Sequence, residues 1–306
     1  MVDFTIETYI SLIEALLKQG FSFQTFTDFI KDPNNRVIIL RQDVDLLPEN
    51  SLIFATIQAE KGIKATYYFR TVPQNYNEQI IKEIYSLGHE IGYHYENVGT
   101  TAQRHKGITA EKKIIEIAIE SFKENLERLR KIVPVKTICM HGSPTSRWDS
   151  RLLWKYYDYH DFGIIGEPYF DINFNEVLYL TDTGRCWDGD SYNIRDKASG
   201  VRRQASGDNI KGKKVDEETG RKNNEDYRCL KYVDPVPSTQ YRTPFPKFHS
   251  TFDIIRAAEQ GKLPDKIMMT FHPQRWTDKP VPWVRELIWQ NVKNVGKYFL
   301  VKVKSE

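Results

Sequence analysis

Two carboxylates, Asp43 and Asp45, stand where a short apolar run ends in charge. Val37, Ile38, Ile39 and Leu40 are uninterrupted, as suits a strand buried on both faces, and Arg41 follows them. Residues two apart on a strand point the same way, so both carboxylates should leave its C-terminal end on one side. Open α/β sheets and α/β barrels place their chemistry at that end. Neighbouring carboxylates repel, so one holds a proton or both share a cation. A structural role competes for Asp45, as the N-cap of a helix starting near Pro48.

Three histidines end later strands: His94 after 90–93, His141 after 135–140 and His272 after 266–271. A lone histidine at a strand end is ordinarily structural. Three of them with an Asp-x-Asp, all at the same end of parallel strands, would converge on one face of a barrel. His and Asp around a divalent ion with open positions suit metal-assisted hydrolysis. His89 falls at the opposite end of its strand and reads as structural.

The elements that must hold these groups alternate. Apolar periodicity predicts helices over 6–18, 48–61, 77–87 and 108–131, with a short one within 21–30. Strands are expected at 37–40, 65–69, 90–93 and 135–140. This β-α-β-α-β-α-β order signals parallel strands joined by crossover helices. Further along, helices are expected at 152–157, 250–260 and 283–295, and strands at 162–165, 177–181, 266–271 and 298–303. Residues 188–246 have few aliphatic side chains and no helical period. They read as a polar surface excursion on a single domain spanning 1–306.

Composition narrows the function. Basic and acidic residues nearly cancel, at a net charge of +3, which argues against a nucleic-acid partner and gives no support for a general membrane-surface role. Cys139, Cys186 and Cys229 lack paired spacing and read as free thiols of a reducing compartment. The first residues carry acids and no basic leader, and no apolar run is long enough for a transmembrane segment. The expected location is the cytoplasm. The oligomeric state is left open.

The motifs RQDVD, GHEIGYHYE and MMTFHPQRW resemble the first, second and fifth motifs of the NodB-homology polysaccharide deacetylases, carbohydrate esterase family four. The resemblance spans residues 36–276. In detail it is similar to the WbmS-like branch found with O-antigen biosynthesis, a part of lipopolysaccharide assembly. It implies a distorted (β/α) barrel with fewer than eight regular strands and one divalent metal ion, zinc foremost. It implies Asp43 as general base, Asp45 and His94 as metal ligands, and His272 as the acid that protonates the leaving amine. MHGSP takes the place of the third motif and LTDTGRCW that of the fourth. Asp182 would then orient His272, and Arg185 and Trp187 would line the substrate cleft.

One departure matters. The family's second motif supplies two histidines four apart, and here Val98 occupies the second position. His141 is inferred to replace the missing ligand, with Glu96 as runner-up. Arg41 and Trp276 join Glu96, Asp182, Arg185 and Trp187 as residues expected to support the site or touch substrate. Tyr93, Tyr95, Trp187 and Trp276 suit stacking on a sugar ring, or equally packing at the rim. The implied reaction removes an N-acetyl group from an amino sugar or glycan precursor by hydrolysing a linear amide bond. Two alternatives stand beside it. One is an amidohydrolase acting on a small cyclic amide; the other is a carbohydrate-binding protein that has lost the ion.

Overall fold

The computed structural model describes residues 2–105, 107–108, 110–142, 148–187 and 246–305. Seven strands form one parallel sheet: β1 (Ser22–Gln24), β2 (Val37–Val44), β3 (Thr66–Phe69), β4 (Glu90–Tyr95), β5 (Ile138–Met140), β6 (Leu178–Thr181) and β7 (Lys266–Phe271). The main path runs β5-β4-β3-β2-β7-β6, with β1 added to β2. On one edge of β2, β1 pairs with Val37–Ile39 and β3 with Arg41–Val44; β7 covers the other edge. The result is an α/β fold whose sheet curls into a parallel half-barrel flanked by helices.

The helices are α1 (Ile6–Lys18), α2 (Phe26–Lys31), α3 (Pro48–Glu60), α4 (Glu78–Ser86), α5 (Asn97–Arg104), α6 (Glu111–Arg130), α7 (Pro168–Asp171), α8 (Thr251–Glu259) and α9 (Pro280–Ser305). Their starts follow local chemistry. Thr5, Thr25, Asn77 and Ser250 each accept a backbone N–H from the first turn, and Ser250 with Asp253 completes a capping box.

Strand alternation sorts the side chains into two cores. Leu40, Tyr67, Phe69, Tyr93, Tyr95 and Phe271 pack against the helices, among other residues of the larger core. Ile39, Tyr68, Cys139 and Met268 face the lumen, where Phe26 of α2 closes the bottom. Glu90 ties this closure together: its carboxylate accepts from the Thr27 N–H and from the hydroxyls of Thr27, Thr66 and Thr137. Gly92 faces the same lumen. A Cβ there would collide with the Tyr68 ring, so the position admits only glycine beside that ring.

Several expectations are corrected. Residues 162–165 form no strand. A 3-10 turn, Tyr159–Phe162, ends at Gly163 in the left-handed region, and only Gly166 bridges to Thr137 beyond β5. Residues 152–157 adopt a 3-10 helix, Ser150–Lys155, rather than an α-helix. Residues 298–303 continue α9 instead of forming a closing strand, because extending a helix avoids a new nucleus. The three-residue strand β1 was too short to show a period. The excursion at 188–245, and Cys229 within it, lie outside the described residues; Cys139 is buried and Cys186 half-buried.

Candidate metal centre and active site

β2 carries its pairing through Val44, so Asp43 sits within the strand and Asp45 just beyond it. The Asp45 N–H turns back to the Asp43 carbonyl at 3.0 Å, which re-aims the chain at the strand end. Asp45 caps no helix. The N-cap of α3 is Leu47, in the left-handed region at φ 50° and without a side-chain cap bond.

His94 lies in β4 beside Cys139 of β5. Its Nδ1 donates to the Cys139 carbonyl at 2.9 Å, which leaves the Nε2 lone pair directed at the site. His141 follows β5 directly, held by its N–H on the Tyr95 carbonyl at 2.8 Å. His141 Nδ1 lies 3.1 Å from Asp45 Oδ1 and 3.3 Å from His94 Nε2, and His94 Nε2 lies 3.5 Å from Asp45 Oδ1.

These separations fit one ion. Bonds of about 2.0–2.1 Å in a tetrahedral zinc site place donor atoms about 3.3–3.4 Å apart. Asp45 Oδ1 is buried and receives no properly directed hydrogen bond, an arrangement a cation would complete. Asp45, His94 and His141 are thus a possible three-residue metal site. Burial would raise the Asp45 carboxyl, but His141, His94 and His272 hold it well below the usual carboxylate range. Burial lowers His141, partly offset by Asp45, which favours the neutral imidazole a metal takes.

Asp43 flanks this triangle, its Oδ2 3.6 Å from His94 Nε2. Arg41, two residues earlier on the same face, grips both Asp43 oxygens at 2.7 Å. Burial pushes the Asp43 carboxyl up, but Arg41 and then His94 outweigh it, bringing it down to about 2. On the other flank His272 Nε2 stands 3.7 Å from Asp45 Oδ2. His272 Nδ1 meets Asp182 Oδ1 at 2.5 Å. Asp182 is fully buried and also accepts the His272 N–H, the Trp276 indole N–H and Arg275. Burial raises its carboxyl, but His272 and Arg275 hold it below the ordinary value.

The structure separates the remaining expected residues. Glu96 does not join the ligand triangle; Arg70 at the end of β3 holds it in a bidentate ion pair. The same guanidinium reaches the Asp45 carbonyl at 3.4 Å, so it clasps two strand ends of the site. Val98 packs in the helix-side core, so a ligand at that position would face away from the lumen. Among the described residues Trp187 and Arg185 pack inward rather than along a cleft. Trp187 is buried and donates to Thr251, while Arg185 donates to the Trp283 carbonyl between the Phe4 and Trp283 rings. Tyr93, Tyr95 and Trp276 are buried in the helix-side core as well, and none can stack on a sugar. The reason is alternation: Tyr93 and Tyr95 flank His94, so the strand sends them to the opposite face. Trp276 meets the site through its indole N–H on Asp182. His89 is structural, its ring bridging the Ala65 N–H and the Ala55 carbonyl.

Two features escaped the sequence. A cavity of about 220 Å³ opens beside His141, lined by Arg70, Glu96, Thr100, Gln103 and the partly exposed Trp148, among others. Glu167, fully buried, bridges the seam beyond β5: Oε1 accepts the Met140 N–H at 3.0 Å and Oε2 accepts the Tyr169 N–H. Burial raises its carboxyl to about 7, although those N–H groups and Arg151 and Arg41 oppose the shift. Arg70 was findable, since it too ends a strand. Glu167 sits in irregular chain and carried no signal beyond its place before Pro168.

No family model matches the chain, and no curated protein matches it. A search of solved structures finds a partial likeness to Streptococcus pyogenes deacetylase PplD in complex with acetate. It covers 44% of this chain at 14% identity, with a TM-score of 0.34. The match spans 60% of that chain's length.

Proposed function

We propose that this chain is a metal-dependent hydrolase that removes an N-acetyl group from an amino sugar or glycan precursor. The observation that carries the reading is the ligand triangle Asp45–His94–His141, flanked by Asp43 on one side and His272–Asp182 on the other. A divalent ion held there, with zinc the best match to two imidazoles and a carboxylate, would polarise an acetamide carbonyl and acidify water.

The chain's own groups supply the proton transfers. Asp43, kept ionised by Arg41, accepts the proton of the attacking water. Its low basicity away from substrate makes this the demanding part of the scheme, and the Arg41 grip must loosen or share the charge as the proton arrives. His272 is aligned by Asp182 with Nε2 towards the site, where it delivers a proton to the departing amine. Arg275 and the Trp276 indole fix Asp182, so the acid keeps one orientation.

The cavity beside His141 is smaller than the about 300–1,000 Å³ of drug-sized pockets and suits a single sugar ring. Its planar polar groups, Arg70, Glu96 and Gln103, can address hydroxyls, and Trp148 stands in its wall. The cytoplasm and O-antigen assembly remain the setting proposed from the motif resemblance; among the described residues no helix is long and apolar enough to cross a membrane.

The test is acetate release from a panel of nucleotide-linked and lipid-linked N-acetyl sugars. Asp43→Asn and His272→Ala should each lower the rate by on the order of 10²–10⁴-fold while retaining the fold. Variants as fast as the wild type would refute the assigned roles. Release from a cyclic amide but from no acetylated sugar would replace the substrate class.

A further inference from the structure

Helix α9 is amphipathic the wrong way round for a helix packed on a domain. Val281, Val284, Ile288, Trp289 and Val292 are between 47% and 78% exposed. Four of them recur at three- and four-residue spacing on one outward face, which the exposed Arg285 shares, and Trp289 widens that stripe. The inward face is mainly polar. Gln290 is buried and donates to Glu286, and Lys293 is half-buried within electrostatic reach of Asp45 and Arg275. Trp283 anchors the first turn, its indole donating to the Asp3 carbonyl and its own carbonyl accepting from Arg185. The helix begins shortly after Trp276, so it leaves directly from the loop that carries His272 and Arg275.

A surface helix ordinarily buries its apolar stripe and wets its polar one. Contiguous exposed apolar surface marks an interaction site. Three coverings could satisfy this one. The stretch 196–226 is polar and highly charged without an apolar period, and the few apolar residues that follow it, such as Leu230, Tyr232, Val233 and Val236, form one short run that gives a stripe of this length little to pack against. A second copy would meet it through a two-position seam, narrower than a stripe that includes Trp289. It would also bring two cationic helices together: α9 carries Arg285, Lys293, Lys297, Lys302 and Lys304 against Glu286 alone. An anionic lipid surface has the complementary charge. It also matches the geometry of a helix lying in the interface, apolar side down and polar side towards the body of the protein.

We propose that α9 is a membrane-surface helix that seats this protein on anionic lipid through Val281, Val284, Ile288, Trp289 and Val292. Because α9 follows the His272 loop, the seating would bring the mouth of the site close to the headgroup layer. The proposal does not depend on the deacetylase reading.

The full chain is floated with vesicles of phosphatidylcholine containing phosphatidylglycerol, and with vesicles of phosphatidylcholine alone. Wild type should float with the anionic vesicles, less so at high salt. Val284→Gln with Ile288→Gln removes apolar area without adding charge and should cut vesicle binding roughly tenfold or more. Both positions are exposed, so the melting temperature and zinc content of the double variant should match those of wild type. Failure of wild type to float, or equal binding by the folded variant, would overturn the proposal. So would a wild-type dimer by light scattering that the variant dissolves without any vesicle binding, since a second copy would then cover the stripe.

Discussion

His141 Nδ1 stands 3.3 Å from His94 Nε2, although 47 residues separate them in sequence. Pairing of β4 with β5 brings them together, because His94 lies opposite Cys139 and His141 is the first residue past β5. A third donor for a metal is therefore available from the neighbouring strand end.

His141→Ala should weaken zinc binding by more than the roughly 10–100-fold that loss of an outer partner costs. Adding Val98→His to that variant should not restore it, because Val98 faces the helix-side core. Competition with a coloured chelator measures both. Wild-type affinity in His141→Ala would remove His141 from the ligand set, and rescue by Val98→His would show that position 98 can reach the ion.

Arg41 and Asp43 form a buried ion pair in the lumen. Arg41→Ala should destabilise the fold by about 3–5 kcal/mol, since it leaves a buried carboxylate without its partner. Replacing both, as Arg41→Met with Asp43→Leu, should be milder than the single change. Urea unfolding followed by circular dichroism checks this. A single variant less than about 1 kcal/mol below wild type would mean that water or another cation takes over the partnership.

Glu167 supplies a pH dependence of stability. Its carboxyl titrates at about 7 in the folded chain against an ordinary 4.5, with burial the leading cause. Tyr95, Arg151, Arg41 and the N–H groups of Met140 and Tyr169 are the groups that bear on it. Between those pH values the native form holds the proton and the unfolded chain has lost it. Stability from this group is therefore present below about 4.5 and is lost as pH rises through about 7. The loss is on the order of 3–4 kcal/mol at most. Glu167→Gln should flatten the dependence, so its stability relative to wild type should improve between about pH 5 and about pH 8. A difference that stays constant across that range would contradict the assignment.

Strand ends made much of the site legible. The apolar run before Arg41 and the histidines closing three other runs were enough to bring Asp45, His94, His141 and His272 to one face. The same alternation rule, applied one residue to either side of His94, would have removed Tyr93 and Tyr95 from the sugar cleft. Arg185 and Trp187 were misplaced for a different reason. The chain beyond Asp182 turns away at Gly184 and Arg185, both at positive φ, which no periodicity announces. Glu167 was illegible because its neighbours come from β5 and α6-to-β6 chain that only the fold assembles. The continuation of α9 through 298–303 was hidden by a short apolar run, Tyr298 to Val301, followed by Lys302 and Val303, which mimics a strand.

Gly92→Ala should cost about 1–3 kcal/mol by forcing the Tyr68 ring aside. Because Tyr68 shares the lumen with His94, the variant should also bind zinc less tightly than its loss of stability alone explains. Gly92→Ala with Tyr68→Leu should recover part of both. Thermal unfolding and chelator competition on the two variants give the comparison; an unperturbed single variant would show that the ring has room to move.

Acetate release by the full chain, measured with zinc bound, after chelation and after zinc is restored, decides whether this protein is a metal-dependent deacetylase. Release from at least one N-acetylated amino sugar is expected with zinc, none after chelation, and recovery on restoring the ion. Zinc-loaded protein that releases no acetate from any acetylated sugar, or release that chelation leaves unchanged, would contradict that reading.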